Sequence, residues 1–181
     1  MFKMRSAFAR LFALPFALPL LFAAACDPFG PGDPGLPSTC AATGCSPGYQ
    51  CVADQCSLKS SGLWRLTVTS GMVAQKTASG ASWDNFGGAP DPLVCLTISN
   101  NRVCTTTKQD SYAPVWNESS TPVTAAELLA GVTVEILDED FAGYEKMCQV
   151  GVIPLTDANF QAGVWGAGCP VASFDALLTP Q

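Results

Sequence analysis

Short runs of alternating apolar and polar residues, separated by turn signals, fill the second two thirds of this chain and leave little room for helix. Leu63-Trp64-Arg65-Leu66-Thr67-Val68-Thr69 alternates as a half-buried strand does, and residues 93–98 and 102–107 follow the same style. Ser99-Asn100-Asn101 between the latter two predicts a hairpin with Asn100-Asn101 at its tip. Residues 150–155 and 173–178 read as further strands. The one predicted helix is short, because Thr124-Ala125-Ala126-Glu127 is a capping box and Gly131 ends what it starts. Short strands with so little helix imply an all-β chain folded as an antiparallel β-sandwich.

The densest chemistry follows one of these strands. In residues 132–137, Val132, Val134 and Ile136 fall on one face and Thr133, Glu135 and Leu137 on the other. The strand then runs into Asp138-Glu139-Asp140-Phe141-Ala142-Gly143-Tyr144-Glu145, which reads as a loop carrying four carboxylates. Asp138 and Asp140, two residues apart, can point toward one spot. Uncompensated, such carboxylates repel one another. A hard divalent cation removes that cost, and Ca²⁺ accepts about six to eight oxygens in flexible geometry. The plain alternative is a solvated acidic turn.

Nine cysteines and no histidine indicate an oxidising compartment rather than a cytosolic metal enzyme. The start of the chain agrees. Lys3, Arg5 and Arg10 form a positive region ahead of an apolar core that Pro15 and Pro19 interrupt, too short for a span of ~20 apolar residues. Residues 1–25 therefore read as a signal peptide. Leu21-Phe22-Ala23-Ala24-Ala25-Cys26 resembles the lipobox of bacterial lipoproteins, with Ala23 where the pattern usually has Leu. In those proteins the cysteine is S-acylated, so Cys26 is the expected lipidation site and residues 26–39, rich in Pro and Gly, an extended tether. An ordinary secretory peptide cut after Ala25 is the alternative. Either way the mature chain is exported, on the periplasmic or cell-surface side of the envelope.

Cys40, Cys45, Cys51 and Cys56 enclose Ser46-Pro47-Gly48-Tyr49, and the spacing resembles small EGF-like or knot-like modules. A segment of this size, residues 40–58, cannot build a hydrophobic core, so disulfides among these four are expected in one of three pairings. A zinc site is the runner-up, without the usual CxxC pairs or histidines. Farther on, Cys95 and Cys104 flank a hairpin turn and Cys148 and Cys169 flank later loops, which leads to Cys95–Cys104 and Cys148–Cys169. With Asn100-Asn101 at the tip, Cys95 lies diagonal to Cys104 at ~7–8 Å, so that bridge requires a bulge or bend.

Five elements occur in order along residues 62–181. They are Gly62-Leu63-Trp64-Arg65-Leu66-Thr67-Val68, Pro90-Asp91-Pro92-Leu93-Val94, Ala113-Pro114-Val115-Trp116-Asn117-Glu118, Val134-Glu135-Ile136-Leu137-Asp138-Glu139-Asp140, and Val152-Ile153-Pro154-Leu155. Together they resemble a C2 domain: its opening strand, its SDPYV, NPxWNE and VWDxD elements, and its closing IPL. The resemblance implies an eight-stranded sandwich with calcium held in loops at one end, often docked on phospholipid. It carries the ligand positions onto Asp84 and Asp91 in the first loop and Asp138 and Asp140 in the third. Asp84 and Asp91 are one residue farther apart than usual. The last carboxylate of the third loop should fall near Lys146, whose charge opposes a cation, leaving Glu145 as the substitute. Trp83 and Phe86 flank Asp84, and Phe141 and Tyr144 flank Asp140. Rings beside a cation site suit lipid docking, so Phe86, Phe141 and Tyr144 are expected to be exposed at the carboxylate end.

Several functions are excluded. The signal peptide carries three of the nine Lys/Arg and none of the fifteen Asp/Glu, so the mature chain is strongly acidic and offers no basic stripe for nucleic acid. Without histidine, a Ser or Cys nucleophile lacks its usual base, and a non-enzymatic role is expected. The sequence thus leads to a membrane-anchored binding protein whose C2-like domain binds calcium and anionic phospholipid. The alternative is a calcium-independent sandwich that serves as a structural module or binds an envelope protein.

Overall fold

The computed structural model describes residues 40–84, 88–141 and 143–181; the predicted signal peptide, Cys26 with the rest of the 26–39 tether, and Phe86 lie outside them. In chain order the elements are α1 (Cys40–Thr43), β1 (Tyr49–Val52), β2 (Gln55–Leu58), β3 (Leu63–Val73), β4 (Pro92–Ile98) and β5 (Asn101–Cys104). There follow β6 (Val115–Ser119), β7 (Val123–Thr124), α2 (Ala125–Ala130), β8 (Val132–Asp140), β9 (Gly143–Ile153), α3 (Asp157–Ala162), β10 (Val164–Cys169) and β11 (Ala172–Pro180).

Strand alternation decides which side chains meet. Trp64, Leu66 and Val68 on β3, Phe174, Ala176 and Leu178 on β11, Val94 and Leu96 on β4, and Val132, Val134 and Ile136 on β8 turn into one core. They come from two antiparallel sheets, β10-β11-β3-β6 with β7 against the start of β3, and β5-β4-β8-β9. Among the described residues, leaving out the two-residue β7, eight strands form the sandwich. Thr124 caps α2 as expected: its side chain accepts from the Glu127 N–H, and the Glu127 carboxylate accepts from the Thr124 N–H. On the outer face of β4 and β8, Leu93, Cys95 and Leu137 form a small second cluster.

Several boundaries differ from the pattern reading. β5 stops at Cys104, where the chain peels away while Val94 N–H still donates to Thr105 Oγ1. β9 begins ten residues ahead of Ile153, and α3, β6 and β10 carry no clear periodic signal. The hairpin tip is Ser99-Asn100, both at positive φ (47° and 68°), not Asn100-Asn101. That register sets Cys95 directly opposite Cys104 with Cα atoms 4.0 Å apart, so the Cys95–Cys104 bridge forms with no bulge. Cys148–Cys169 ties β9 to β10, the edge strands of the two sheets. The four early cysteines pair as Cys40–Cys51 and Cys45–Cys56.

The disulfide-bonded β1-β2 hairpin packs on the sandwich at the Leu63 end of β3. Tyr49 meets Trp64 edge-on, with ring centroids 6.3 Å apart, and the Lys59 N–H donates to Gly48 O at 2.9 Å. Gly48 has φ +85°, and a Cβ there would lie 2.4 Å from Trp64 Cζ2. Gly48→Ala therefore combines left-handed strain with overpacking, and urea denaturation should show a loss of about 2–4 kcal/mol. A loss below about 1 kcal/mol would mean that hairpin and Trp64 do not pack as described.

Candidate metal centre

β8 does not end before its acidic residues. It continues through Asp140, which pairs with Gly143 at the start of β9, so the segment expected as a loop is a two-stranded ribbon. The period of a strand then sorts its side chains: Asp138 and Asp140 take one face, Glu139 the other. Asp138 sits between Pro92 on β4 and Glu145 on β9 and is 0% exposed. On the reverse face, Glu139 accepts from the Thr107 hydroxyl and from the Tyr144 hydroxyl.

The first loop, between β3 and β4, delivers Asp84 and Asp91. Trp83 anchors it by turning inward, buried, with Nε1 donating to Ala74 O at 2.7 Å. Trp83 is thus core rather than a docking ring. Its neighbour Asp84 is carried to the ribbon, and one oxygen from each of Asp84, Asp138 and Asp140 lies within 4.8 Å of the others. The Asp91 N–H donates to Asp138 Oδ1 at 2.6 Å, while its own Oδ1 accepts from the Asp110 N–H at 2.7 Å. Asp91 borders the three-carboxylate group without joining it. Glu145 is paired with Asp138 in register but is exposed and outside that group.

The electrostatics are those of an uncompensated site. Asp138 Oδ2 is buried with no hydrogen-bond partner among the described residues. Burial pushes the Asp138 carboxyl up to about 6, against the Asp91 N–H bond and with the help of the charges on Asp140, Asp84 and Asp91. Asp84 is raised as well, by burial first, then by Asp140, Asp91 and Asp110. An all-oxygen set with an orphaned buried oxygen fits a hard cation such as Ca²⁺ and offers nothing to soft metals.

Lys146 does not oppose this site. The β8–β9 register shifts between Ile136 and Leu137, so Leu137 faces Lys146 and Asp138 faces Glu145. Lys146 thereby turns to the outer face, where Nζ pairs with Glu135 Oε1 at 3.1 Å; Arg102 holds Oε2 of the same carboxylate at 2.9 Å. Of the docking residues, Phe141 stands clear at the turn, 110% exposed, and Tyr144 is 62% exposed on the reverse face of the ribbon. Sequence reasoning missed Asp110 and Gly88. A lone Asp in a polar loop carries no spacing signal, and Gly88 matters only because Asp84 lies against it.

No curated protein matches the chain. Among solved structures, a C2 domain of plant Extended Synaptotagmin 1 shares 16% identity, with 68% of this chain and 96% of that one covered at a TM-score of 0.50. An Extended-Synaptotagmin 2 structure comprising an SMP domain and two C2 domains shares 14% identity over 67% of this chain at a TM-score of 0.50, and this chain spans 27% of its length. At such identity the likeness is one of fold. Residues 66–165 match the C2 domain family, a stretch that holds Asp84, Asp91, Asp138 and Asp140, and on that match the chain belongs to the C2 family.

Proposed function

We propose that this chain is an exported, lipid-anchored, non-enzymatic binding protein whose C2 domain takes up calcium between its first loop and the β8-β9 ribbon. Asp138 carries the reading: a wholly buried carboxylate with one oxygen unpartnered among the described residues and two further carboxylates beside it. A folded chain keeps such a group when a ligand supplies the missing charge, because an unpaired buried charge otherwise opposes folding. Asp84, Asp138 and Asp140 would hold the ion, with Asp91 completing the set and Glu145 within reach at the rim. Bound calcium supplies positive charge where an anionic phospholipid phosphate can meet it. Four disulfides support an oxidising location, and Cys26 would hold the chain on the cell envelope.

Calcium titration of the full chain by calorimetry, paired with thermal unfolding, tests this. Binding is expected at ~10⁻⁴–10⁻³ M, typical of extracellular modules, with a melting temperature that climbs as calcium is added. Absence of both heat and shift at millimolar calcium would leave a calcium-independent interaction module as the reading.

A further inference from the structure

We propose that the cavity between the β1-β2 hairpin and α3 is a docking site for an extended proline-rich peptide segment. The inference is independent of the calcium reading, because the cavity lies at the Leu63 end of β3 and the first loop leaves β3 at its Val73 end. Its volume is about 510 Å³, and it opens to solvent on one side. Pro47 and Tyr49 from the hairpin, Trp64 from β3, Phe160 from α3, and Leu178 and Pro180 from β11 line it. Trp64 meets Phe160 edge-on, with ring centroids 4.9 Å apart, which fixes that wall.

Two donors there lack acceptors. Trp64 is 2% exposed, and its Nε1–H has no hydrogen-bond partner among the described residues. The Tyr49 hydroxyl is likewise buried and unpartnered among them. Buried donors are costly to leave unmade, and an indole N–H can only donate, so the missing groups are acceptors. Among the described residues, none that lines the cavity is charged, and the charge that reaches Tyr49 is the negative one of Asp157. An anion is thereby disfavoured as the source of those acceptors. A proline-rich segment suits what remains. Each prolyl residue keeps its carbonyl but has no N–H to satisfy, and its ring packs on aromatic walls. Such segments are already extended as polyproline II, so docking costs them little order. Solvent reaches neither donor in the free chain, so the peptide must part the Tyr49 and Trp64 rings to meet them.

The test is calorimetry of the full chain with decaproline, with a Gly-Ser decapeptide as control, repeated on Tyr49→Phe. Decaproline should bind saturably even with calcium chelated, and the control should not. Tyr49→Phe keeps the ring and removes one donor, so it should weaken decaproline binding by about threefold to tenfold. Its resistance to urea should equal or exceed that of the wild type, because an unpartnered buried hydroxyl is gone. No binding of decaproline, equal binding of the control, or unchanged affinity in Tyr49→Phe overturns the proposal. So does a less stable Tyr49→Phe, which would mean that the hydroxyl has a partner in the folded chain. Saturable binding of dimethylacetamide, a lone tertiary amide, with none of decaproline would make the cavity a small-molecule site and overturns it as well.

Discussion

Replacing Asp138 with Asn is expected to stabilise the calcium-free protein at neutral pH and to remove its response to calcium. Asp138 titrates at about 6 in the folded chain instead of the ordinary 3.8. Between those values the folded state holds a proton that the unfolded state has released, so stability falls as pH rises through the window. Above about pH 6 the deficit is complete, on the order of 3 kcal/mol at ~1.4 kcal/mol per pKa unit. Asn does not titrate, and its Oδ1 can still accept from the Asp91 N–H. The difference between wild type and Asp138→Asn should therefore be small at pH 4 and grow to about 2–3 kcal/mol by pH 7.5. Taking that difference matters because other groups move the absolute curve. Asp84 is raised and acts in the same direction. Glu127, lowered by the Thr124 N–H, and Glu135, lowered by Lys146, contribute stability that is present above their unfolded values and lost as pH falls. Denaturant unfolding at several pH values, with and without calcium, reads all of this. A variant less stable than wild type at pH 7.5, or one that still gains stability from calcium, would show that the Asp138 charge is not what calcium neutralises.

What the sequence made legible here is what periodicity can carry. The alternation in residues 63–69 and 132–137 sorts core from surface, and the spacing of Asp138 and Asp140 lets both point toward one spot, although the pattern places them in a loop and the chain holds them on a strand. The hairpin tip lies one residue earlier than the pattern places it, because Asn100 and Asn101 both tolerate positive φ, whereas the chain turns at Ser99-Asn100. That single step moved Cys104 from diagonal to directly opposite Cys95. Lys146 shows the same sensitivity in reverse. Continued without the shift after Ile136↔Cys148, the β8–β9 register would set Lys146 across from Asp138; the bulge sets Glu145 there and sends the cation to Glu135. Nothing in local spacing announces a bulge, since it is settled by Met147 and Cys148 both being buried. Asp110 was invisible for a different reason. Its place depends on hydrogen bonds to residues 90–92, contacts made across a sheet edge that no window along the chain contains.

Phe141→Ala should cut calcium-dependent binding to anionic vesicles by about tenfold while leaving calcium affinity in solution unchanged. Phe141 follows the end of β8, fully exposed beside Asp140. Burying such a ring is worth about 1.5–3 kcal/mol, of which partial entry into the lipid interface would recover enough for roughly a factor of ten. Without calcium the same tip carries Asp84, Asp138 and Asp140 toward the membrane, and their charge repels anionic headgroups. On the proposed reading, calcium would control the approach and Phe141 the grip. Tyr144 should matter less, because its hydroxyl is held by Glu139 on the reverse face of the ribbon. Vesicle co-sedimentation at fixed millimolar calcium, alongside calorimetry without lipid, separates the two quantities. If Phe141→Ala weakens both equally, the ring supports the cation site rather than the membrane. If it changes neither, docking does not run through this tip, and the C2 domain meets its partner by another face.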